Sequence, residues 1–509
     1  MPSFLRRHAL PLILLAGLLL RLLLLVLLPP GYDEAYYLFY GAHPALSYFD
    51  HPAAVGLWAW LGSQLNLGII GLRLPVALSY TIASAVLAQA ARRGLGRGSD
   101  LWTAALTVLC PLLLLVGGVL LLPDAPLLLL LSLVLWGLAI DLPWGRLGLL
   151  LGGLTLCKYH AVPLLLCLAC WALSRPATRK RLLGPEGVRA LLSWLLVSAP
   201  LWIWNGQHGW VSFFFQGGRT VKDSGFNLAG PPLFLASQLV ALFPTIGVVL
   251  VMALAAHRHD QHSDYRRLLR WLSLPPLVLF LLLAGRMQVL ISWLVPIWWI
   301  LLPLAGAWLA EAWQRRAGFL RWWLPLTIAL PPLLALVATV HVRSGLAAPL
   351  LGATQDTSRE LSSSHELRAA LQAEPRLWSS LQQADLLVGE RYYEPGFLAL
   401  ALGRDSTAEF TTFNGDARGF AFWQPKDGFA GRSGIVFGFN MPQRDRADPA
   451  ERRGWLNRLP GVEPLGAVQL QRGDGPGPVV RFYRFGPLTG PWPRRYGPGA
   501  LNPDDDPRR

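Results

Sequence analysis

A segment near the start of the chain gathers residues that could carry out acid–base chemistry. Residues 31–52 read GYDEAYYLFYGAHPALSYFDHP and hold two acidic clusters, Asp33-Glu34 and Asp50-His51. A hydroxyl group is a weak nucleophile, and a positioned carboxylate activates it by accepting its proton. A carboxylate and a histidine can also ligate a divalent metal ion. Two acidic clusters in one short loop therefore favour a reactive site over a purely structural turn.

The same segment has a simpler interpretation. It contains seven aromatic residues, which are typical of the interface between a membrane and water. An amphipathic helix in that interface, with Asp33 as its N-cap, would account for the aromatic residues and the first acidic cluster. It would leave the second cluster, at Asp50, harder to explain, so both interpretations stay open at this point.

Three further charged residues lie beside apolar runs, and each has two possible roles. Asp124 lies between two prolines, where it could close an Asx-turn or cap a helix, or be a second acidic group of a pocket. Lys158 follows a short apolar run and could extend its amine to the membrane surface or bind an anion. Arg219 could pair with Asp223 or bind the same anion. The surrounding elements decide between these roles.

Those elements belong to a membrane protein. The chain is 53% hydrophobic and only 15% charged, whereas a soluble domain has about 25% charged residues. A membrane-spanning helix needs roughly 20 apolar residues, and Leu-rich runs recur through the first two thirds of the chain. We predict about 11 spans, the fifth and sixth being too short to cross alone as upright helices. They lie at 9–29, 68–91, 101–122, 126–143, 147–157, 161–173, 190–204, 231–256, 268–284, 288–310 and 322–341.

The first apolar run and the cysteines fit the same class. Residues 10–28 follow Arg6 and Arg7 but lack a small-residue cleavage site, so we interpret them as a permanent span rather than a signal peptide. All four cysteines lie in apolar runs, and we expect small buried hydrophobes rather than zinc ligands. They are Cys110, Cys157, Cys167 and Cys170.

The positive charge of the chain records its topology. The net charge is +15, and residues 1–341 account for +13 of it, which suits loops between spans rather than a nucleic-acid surface. With the N-terminus in the cytoplasm, 18 Lys and Arg residues fall in cytoplasmic segments and five in outer loops. An odd number of spans then places the C-terminal region outside the cytoplasm, and no nucleic-acid partner is expected.

The outer loops hold the groups that could do chemistry. Their five cations go against the positive-inside trend, and anion binding is the simplest reason for them. These cations are Arg73, Lys158, Arg219, Lys222 and Arg286. Arginine can hold a phosphate through two hydrogen bonds and lysine can act as a point charge. We therefore expect Lys158 and Arg219, with Arg73 or Arg286, to face a phosphate group.

The C-terminal third has a different composition. From about residue 350, Ser, Asp, Arg and Gly become more frequent and no span remains. Short apolar runs predict strands of a small mixed α/β domain at 385–388, 397–402, 434–439, 468–470 and 479–485. Residues 491–509 are rich in Pro, Gly and charge, which predicts a disordered tail. The predicted units are thus a membrane module (1–345), this domain (346–490) and the tail.

The order of the motifs resembles a known family. An outer loop with Asp33-Glu34 and then FDHP at 49–52 is similar to bacterial relatives of the protein O-mannosyltransferases and of the aminoarabinose transferase that modifies lipid A. These are GT-C fold glycosyltransferases. The likeness continues with LPDAP at 122–126, with Lys158-Tyr159 and with an outer-loop signature at 200–219. The aminoarabinose transferase has an acidic-Lys-Pro form of the motif at 50–52, so its lipid A substrate is not implied.

This resemblance implies a fold and a reaction. The fold is membrane all-α, a polytopic GT-C helix bundle with a small extracytoplasmic α/β domain. The reaction is inverting transfer of a sugar from a polyprenyl-phosphate donor to a hydroxyl of a lipid, glycan or protein acceptor. It would take place at the outer face of the bacterial inner membrane.

The resemblance also implies roles for individual residues. Asp33 would be the catalytic base, Glu34 would orient Asp33 or the acceptor, and Asp124 would be a second acidic group. Substrate binding falls to matching or nearby positions, which are Lys158, Tyr159, Asn205, Arg219, Arg73, Arg286 and His51. His51 could instead form hydrogen bonds within its loop.

A divalent metal ion is a possible cofactor. Asp50 and His208 could ligate it together, since some relatives hold a metal at the corresponding loop. No other cofactor is expected.

Two other classes of protein compete with the transferase. A lipid or sugar transporter or flippase often shows two related halves and charged groups near the membrane midplane, and the sequence shows neither clearly. A non-catalytic membrane scaffold gives no reason for two acidic clusters. The sequence therefore predicts the transferase, with the transporter as the alternative.

Overall fold

The computed structural model describes residues 3–218, 225–256, 262–348, 356, 358, 361, 363–424, 426–440, 459–472 and 475–490. Arg219, Lys222, Asp223 and the predicted tail at 491–509 lie outside this described part. The described chain forms a helix bundle followed by a mixed α/β domain, as the sequence predicts.

The bundle contains long apolar helices and shorter helices that join them. Their bounds are α1 Ser3–Leu27, α2 Tyr32–Ala42, α3 Ala54–Ser63, α4 Gly68–Leu95, α5 Ser99–Leu109, α6 Pro111–Gly118, α7 Asp124–Ala139, α8 Trp144–Thr155, α9 Ala161–Ser174, α10 Pro176–Leu182, α11 Pro185–Gln207, α12 Val211–Gly218, α13 Gly230–Ala241, α14 Pro244–Ala255, α15 Ser263–Ala284, α16 Val295–Gln314 and α17 Leu320–Ser344.

The chain is a multi-span membrane protein. Among the described residues, six helices are long and apolar enough to cross a membrane, or up to nine if each sharply bent helix pair is one span. The predicted span at 101–122 is such a pair, because Pro111 interrupts it and α5 and α6 meet at 76°. The predicted span at 231–256 likewise bends by 115° ahead of Pro244. The total of about 11 spans stays a prediction.

One helix forms the centre of the bundle. In residues 291–314, 89% of the most apolar stretch is buried, against 22% for α1 and 28% for α17. Two buried tryptophans of α16 satisfy their indole N–H groups, with Trp299 donating to Ser132 Oγ at 2.9 Å and Trp298 to Gln238 Oε1 at 2.8 Å. The outer helices α1 and α17 expose leucines, as lipid-facing helices do.

The four cysteines also divide into buried and exposed residues. Cys110, Cys157 and Cys167 are buried as predicted, but Cys170 is exposed. Its place on the outward stripe of α9, with Val162 and Leu166, explains the difference, because that stripe faces away from the core.

The C-terminal domain contains one sheet and several short helices. The sheet has the strand order β2-β1-β3-β5-β4, in which β1 is parallel to β2 and β3, and β5 is antiparallel to β3 and β4. The strands are β1 Leu386–Gly389, β2 Glu409–Thr412, β3 Gly434–Asn440, β4 Glu463–Arg472 and β5 Gly475–Phe485. The helices are α18 Ser364–Gln372, α19 Pro375–Gln382, α20 Glu394–Leu402 and α21 Phe420–Trp423.

One predicted strand is wrong. Residues 397–402 belong to α20, which starts with Pro395 in its first turn. Proline at a helix start is favourable because its missing N–H would have no partner there. The segment FLALAL is apolar on every side, so its pattern does not separate a strand from a buried helix.

The C-terminal domain packs directly on α2. A Cβ atom added to Gly396 of α20 would lie 1.8 Å from the carbonyl oxygen of Ala35 in α2, so only glycine allows this approach. The Tyr393 and Tyr32 rings pack beside it with centroids 4.5 Å apart. At the other end of the interface, Arg472 of β4 donates to the carbonyl oxygens of His341 and Val342 at the end of α17. The domain is therefore held against α2 and against the C-terminal end of α17.

Candidate active site

Helix α2 fixes the first acidic cluster. Its N-cap is Gly31, with extended backbone angles, and Asp33 and Glu34 occupy the first turn. The interpretation of Asp33 as N-cap is therefore wrong, because the helix starts two residues earlier. Glu34 caps the helix instead, since its Oε2 accepts from the Gly31 N–H at 2.9 Å. This leaves Asp33 half-buried at the wall of a cavity.

Glu34 and Arg73 form a buried ion pair. The Arg73 guanidinium donates from Nε to Oε1 at 2.7 Å and from Nη2 to Oε2 at 2.5 Å, with the two side chains 0% and 1% exposed. Oε1 also accepts from the Leu121 N–H at 2.9 Å, and Arg73 donates to three carbonyl oxygens near the end of α1. Both groups are engaged by the protein itself, so they position α2 rather than face a phosphate or an acceptor.

A second buried ion pair joins two of the predicted residues. Lys158, in the turn between α8 and α9, donates from Nζ to both carboxylate oxygens of Asp124 at 2.9 and 2.8 Å. Asp124 is the first residue of α7, and both of its carboxylate oxygens accept from Lys158. Both residues line the same cavity as Asp33.

Asp50 lies in a network of donors. Its carboxylate accepts from the hydroxyl groups of Tyr40 and Tyr36, the latter at 3.3 Å, and from Arg418 Nη1 at 3.2 Å. Burial, followed by the nearby charge of Asp50, raises the pKa of both tyrosines well above the usual value, so their hydroxyls stay protonated and donate. The backbone carbonyl of Asp50 also accepts from Gln216 of α12 at 2.7 Å.

This network does not suit a metal ion between Asp50 and His208. The Asp50 carboxylate already accepts from three donors, one of which is a cation that would repel a metal. His208 Nδ1 lies 2.7 Å from the carbonyl oxygen of Trp204, and its ring stacks on that indole at 4.0 Å. Among the described residues, no group of three His, Cys, Asp or Glu side chains is arranged to hold a metal. No catalytic step is therefore assigned to a metal here.

One cavity of about 560 Å³ connects the acidic and basic groups. Its polar wall comes from α2, the segment between α2 and α3, the junctions α6–α7 and α8–α9, and the C-terminal domain. The charged and polar lining residues include Asp33, Glu34, Asp50, His51, Asp124, Lys158, Tyr159, His160, Gln216, Tyr392 and Arg418. Its apolar wall comes from the end of α1, the segment before α7, and α17, and includes Leu28, Leu115, Leu120, Leu122, Ala335, Ala338 and Val342.

The remaining predicted binding residues lie elsewhere. Asn205 is buried within α11 and donates to the Leu201 carbonyl oxygen at 3.0 Å. Arg286 is exposed, and neither it nor Asn205, Arg73 or His208 is among the residues that line the cavity. Arg219 lies outside the described residues.

The sequence alone gave no role to Arg418, although it is a charged lining residue. It lies between β2 and α21, and it directly precedes Gly419. Burial disfavours its charge, but Tyr392, Asp50 and Asp416 outweigh burial and hold the pKa of Arg418 well above its usual value. It is therefore a permanent cation, contributed to the cavity by the C-terminal domain.

Comparison with known proteins agrees with this architecture. Residues 50–204 match the family model of the dolichyl-phosphate-mannose-protein mannosyltransferases. The crystal structure of ArnT from Cupriavidus metallidurans in the apo state aligns with a TM-score of 0.56 at 14% identity, covering 93% of this chain and 97% of that chain. The same protein bound to undecaprenyl phosphate gives 0.58 at 15% identity, with 93% and 97% covered. No curated protein sequence gives a significant match.

At these identities the likeness concerns the fold. Both aligned structures extend over nearly the whole chain, so they include the helix bundle and the C-terminal domain together. The expected architecture is thus confirmed, and this chain has the GT-C fold of membrane glycosyltransferases.

Proposed function

We propose that this protein is an inverting glycosyltransferase that moves a sugar from a polyprenyl-phosphate donor to an acceptor hydroxyl. The observation that carries the proposal is the single cavity lined by Asp33, by the Asp124–Lys158 pair and by Arg418. Residues far apart in sequence converge there, and they combine a carboxylate with cations at a site next to apolar helices.

The cavity suits an amphiphilic ligand. Its charged wall would contact a phosphate and a sugar, and its apolar wall on α17 would contact a hydrocarbon chain. Helix α17 exposes leucines along its outer side, so a lipid could approach from the surrounding membrane. The ArnT structure that aligns with this chain contains undecaprenyl phosphate, which supports a lipid phosphate as the ligand class.

The proposed reaction needs a base and a stabilised leaving group. The acceptor oxygen attacks C1 of the sugar while the bond from C1 to the phosphate oxygen breaks, and that electron pair leaves with the phosphate. Asp33 accepts the hydroxyl proton, and C1 inverts its configuration. A phosphate leaving group needs charge neutralisation more than a proton, which calls for cations beside it. Lys158 has three N–H groups, two of which donate to Asp124. The third N–H can donate to the leaving phosphate.

The charge asymmetry supports the outer face as the site of reaction. The outer loops of the predicted topology carry Asp33, Asp124 and Lys158, while most Lys and Arg residues of the membrane module fall on the other side. We therefore propose a bacterial inner-membrane enzyme with a cytoplasmic N-terminus and an extracytoplasmic C-terminal domain. The acceptor would be a lipid, glycan or protein.

The test follows sugar loss from donors. The purified full-length protein is incubated with a panel of undecaprenyl-phosphate hexoses and pentoses and with cell-envelope lipids, glycans and proteins as acceptors. Wild type should release undecaprenyl phosphate from at least one donor. Asp33→Asn should slow that release about 10²- to 10⁴-fold while binding undecaprenyl phosphate as wild type does.

A matched control makes the same chemical change elsewhere. Asp405 lies in the C-terminal domain, where it pairs with Arg368 away from the cavity, so Asp405→Asn should leave the rate unchanged. Equal rates for wild type and Asp33→Asn would remove Asp33 as the base. Failure of wild type to bind undecaprenyl phosphate would remove the transferase proposal itself.

A further inference from the structure

We propose that Arg418, supplied by the C-terminal domain, is a second phosphate-binding residue of the cavity and contacts the phosphate of the lipid donor. This inference deepens the proposed function and rests on it. It gives the C-terminal domain a direct part in donor recognition.

Arg418 reaches the cavity through fixed contacts. Its Nη1 donates to Asp50 at 3.2 Å, its Nε donates to Asp416 at 3.3 Å, and its guanidinium lies over the Tyr392 ring at 3.6 Å from the centroid. The side chain is 14% exposed, so little but the cavity side remains open. An arginine held in this way loses little conformational freedom when a ligand arrives.

Part of the guanidinium remains available. Nε and Nη1 donate to the two carboxylates, and Nη2 makes no hydrogen bond to any described residue. A guanidinium carries five N–H groups in one plane, so Nη2 and the second N–H of Nη1 can donate to phosphate oxygens. The two carboxylates keep the guanidinium in place while these groups face a ligand.

Lys158 is less available than Arg418. Its ammonium donates to both oxygens of Asp124 in a buried pair, so two of its three N–H groups are used inside the protein. Two of the described residues that line the cavity are Lys or Arg, namely Lys158 and Arg418. A leaving phosphate needs positive charge, and Arg418 has more unused N–H groups than Lys158, arranged in one plane.

The backbone of Arg418 has a strained conformation at the cavity. Its φ is +46°, in the left-handed region that residues other than glycine rarely adopt. The next residue, Gly419, donates its N–H to the Tyr36 hydroxyl at 2.8 Å, which ties this turn to α2. Strain of this kind persists where surrounding contacts maintain it, and it is common at ligand sites.

The same network gives Asp50 a role. Asp50 accepts from Tyr36 and Tyr40 of α2 and holds Arg418, so it positions the cation in the cavity. It thereby links the helix that carries Asp33 to the domain that carries Arg418. Both ends of the proposed reaction, the base and the phosphate ligand, are fixed by one set of contacts.

The experiment measures binding of two lipids that differ only in the phosphate. Undecaprenyl phosphate and undecaprenol are titrated into the full-length wild type and into Arg418→Met and Arg418→Lys variants in detergent. We expect Arg418→Met to weaken undecaprenyl phosphate binding about 10- to 100-fold and to leave undecaprenol binding unchanged. Arg418→Lys should retain part of the affinity because it keeps the charge and loses the planar arrangement.

A matched arginine serves as the control. Arg432 lies in the same domain, pairs with Glu409 and does not line the cavity, so Arg432→Met should bind both lipids as wild type does. If Arg418→Met binds undecaprenyl phosphate as tightly as wild type, the proposal is overturned. Equal weakening for both lipids would overturn it as well, because that pattern indicates structural damage rather than phosphate recognition.

Two further outcomes distinguish failure of the Arg418 proposal from failure of the proposed function. If Arg418→Met does not fold, Arg418→Lys decides, and wild-type affinity for undecaprenyl phosphate in that variant would overturn the proposal. If wild type shows no preference for undecaprenyl phosphate over undecaprenol, the proposed function fails before Arg418 is considered.

Discussion

Glu34 and Arg73, 39 residues apart in sequence, form a bidentate ion pair that is closed to solvent. The neighbouring Asp33 lines the same cavity as Glu34 but is half-buried. Two adjacent carboxylates of one helical turn therefore have different environments, because Arg73 of α4 holds Glu34 and Asp33 is the more exposed of the two. We expect one to matter for chemistry and the other for stability.

Removing the negative charge of Glu34 should destabilise the protein. Glu34→Gln leaves the Arg73 guanidinium buried without its counter-ion, which should lower the free energy of unfolding by about 3 kcal/mol. Asp33→Asn, its neighbour, should change that free energy little because Asp33 is half-buried beside the cavity. Unfolding in detergent, followed by tryptophan fluorescence, measures both. Similar stability of the two variants would contradict the assigned difference.

The Asp124–Lys158 pair should behave as a coupled unit. Lys158→Met leaves a buried carboxylate without its cation and should destabilise the fold by about 3 kcal/mol. Adding Asp124→Asn to Lys158→Met should recover most of this loss, because neither charge then remains. Thermal unfolding of the single and double variants provides the measurement. A double variant no more stable than Lys158→Met would show that the pair is not coupled.

An exposed ion pair offers the comparison for that experiment. Arg368 and Asp405 pair in the C-terminal domain with side chains 35% and 39% exposed. Arg368→Met should therefore change the free energy of unfolding by less than about 1 kcal/mol. A loss as large as that of Lys158→Met would contradict burial as the cause.

Substitution of Gly396 should disturb the contact between α20 and α2. A Cβ at this position would lie 1.8 Å from the Ala35 carbonyl oxygen, and backbone on both sides cannot yield easily. Gly396→Ala should cost about 1–3 kcal/mol and increase tryptic cleavage of the C-terminal domain. It should also slow sugar transfer, because Asp33 and Arg418 lie on opposite sides of this contact. Gly490→Ala is the control and should resemble wild type, because a Cβ there would meet no described residue within 4 Å other than its chain neighbours.

Glu394 should make the stability of the C-terminal domain depend on pH. Burial, followed by the nearby charge of Glu390, raises the pKa of Glu394 to about 8. A carboxyl group whose pKa is raised in the folded state contributes stability that is complete below its unfolded pKa, near 4.5, and is lost as pH rises through about 8. The unfolding midpoint should therefore fall over this range.

The variant Glu394→Gln isolates that effect. Its side chain stays neutral, so the fall in the unfolding midpoint between pH 5 and roughly pH 8 should become smaller. Its overall stability should also drop at low pH, since Glu394 accepts from two backbone N–H groups, those of Arg391 and Phe439. An unchanged pH dependence would show that another group is responsible.

Local sequence predicted much of the molecule. The apolar runs coincide with helices, although two predicted spans are bent helix pairs, and four of the five predicted strand segments lie in or overlap strands of the sheet. The failure at 397–402 shows the limit of local pattern, because an apolar segment of this length suits a strand or a buried helix equally well. Its contact with α2 selects the helix.

The candidate site was predictable only in part. Asp33, Asp50, His51, Asp124, Lys158 and Tyr159 line one cavity, as the outer-loop positions suggest. The metal pair Asp50 and His208 was not supported, since Asp50 is occupied by two tyrosines and by Arg418. That arginine is 368 residues away from Asp50 in sequence, and no spacing rule connects them.

The sequence by itself determined that the chain spans a membrane, between which apolar runs its cations cluster and which segments hold carboxylates. These properties depend on composition and on runs of neighbouring residues, so they can be read without coordinates. Only the tertiary structure decided that Glu34 supports the helix, that Lys158 pairs with Asp124 and that Arg418 enters the cavity. Each of these depends on buried charges finding partners across distant segments, and burial arises only when the whole chain has folded.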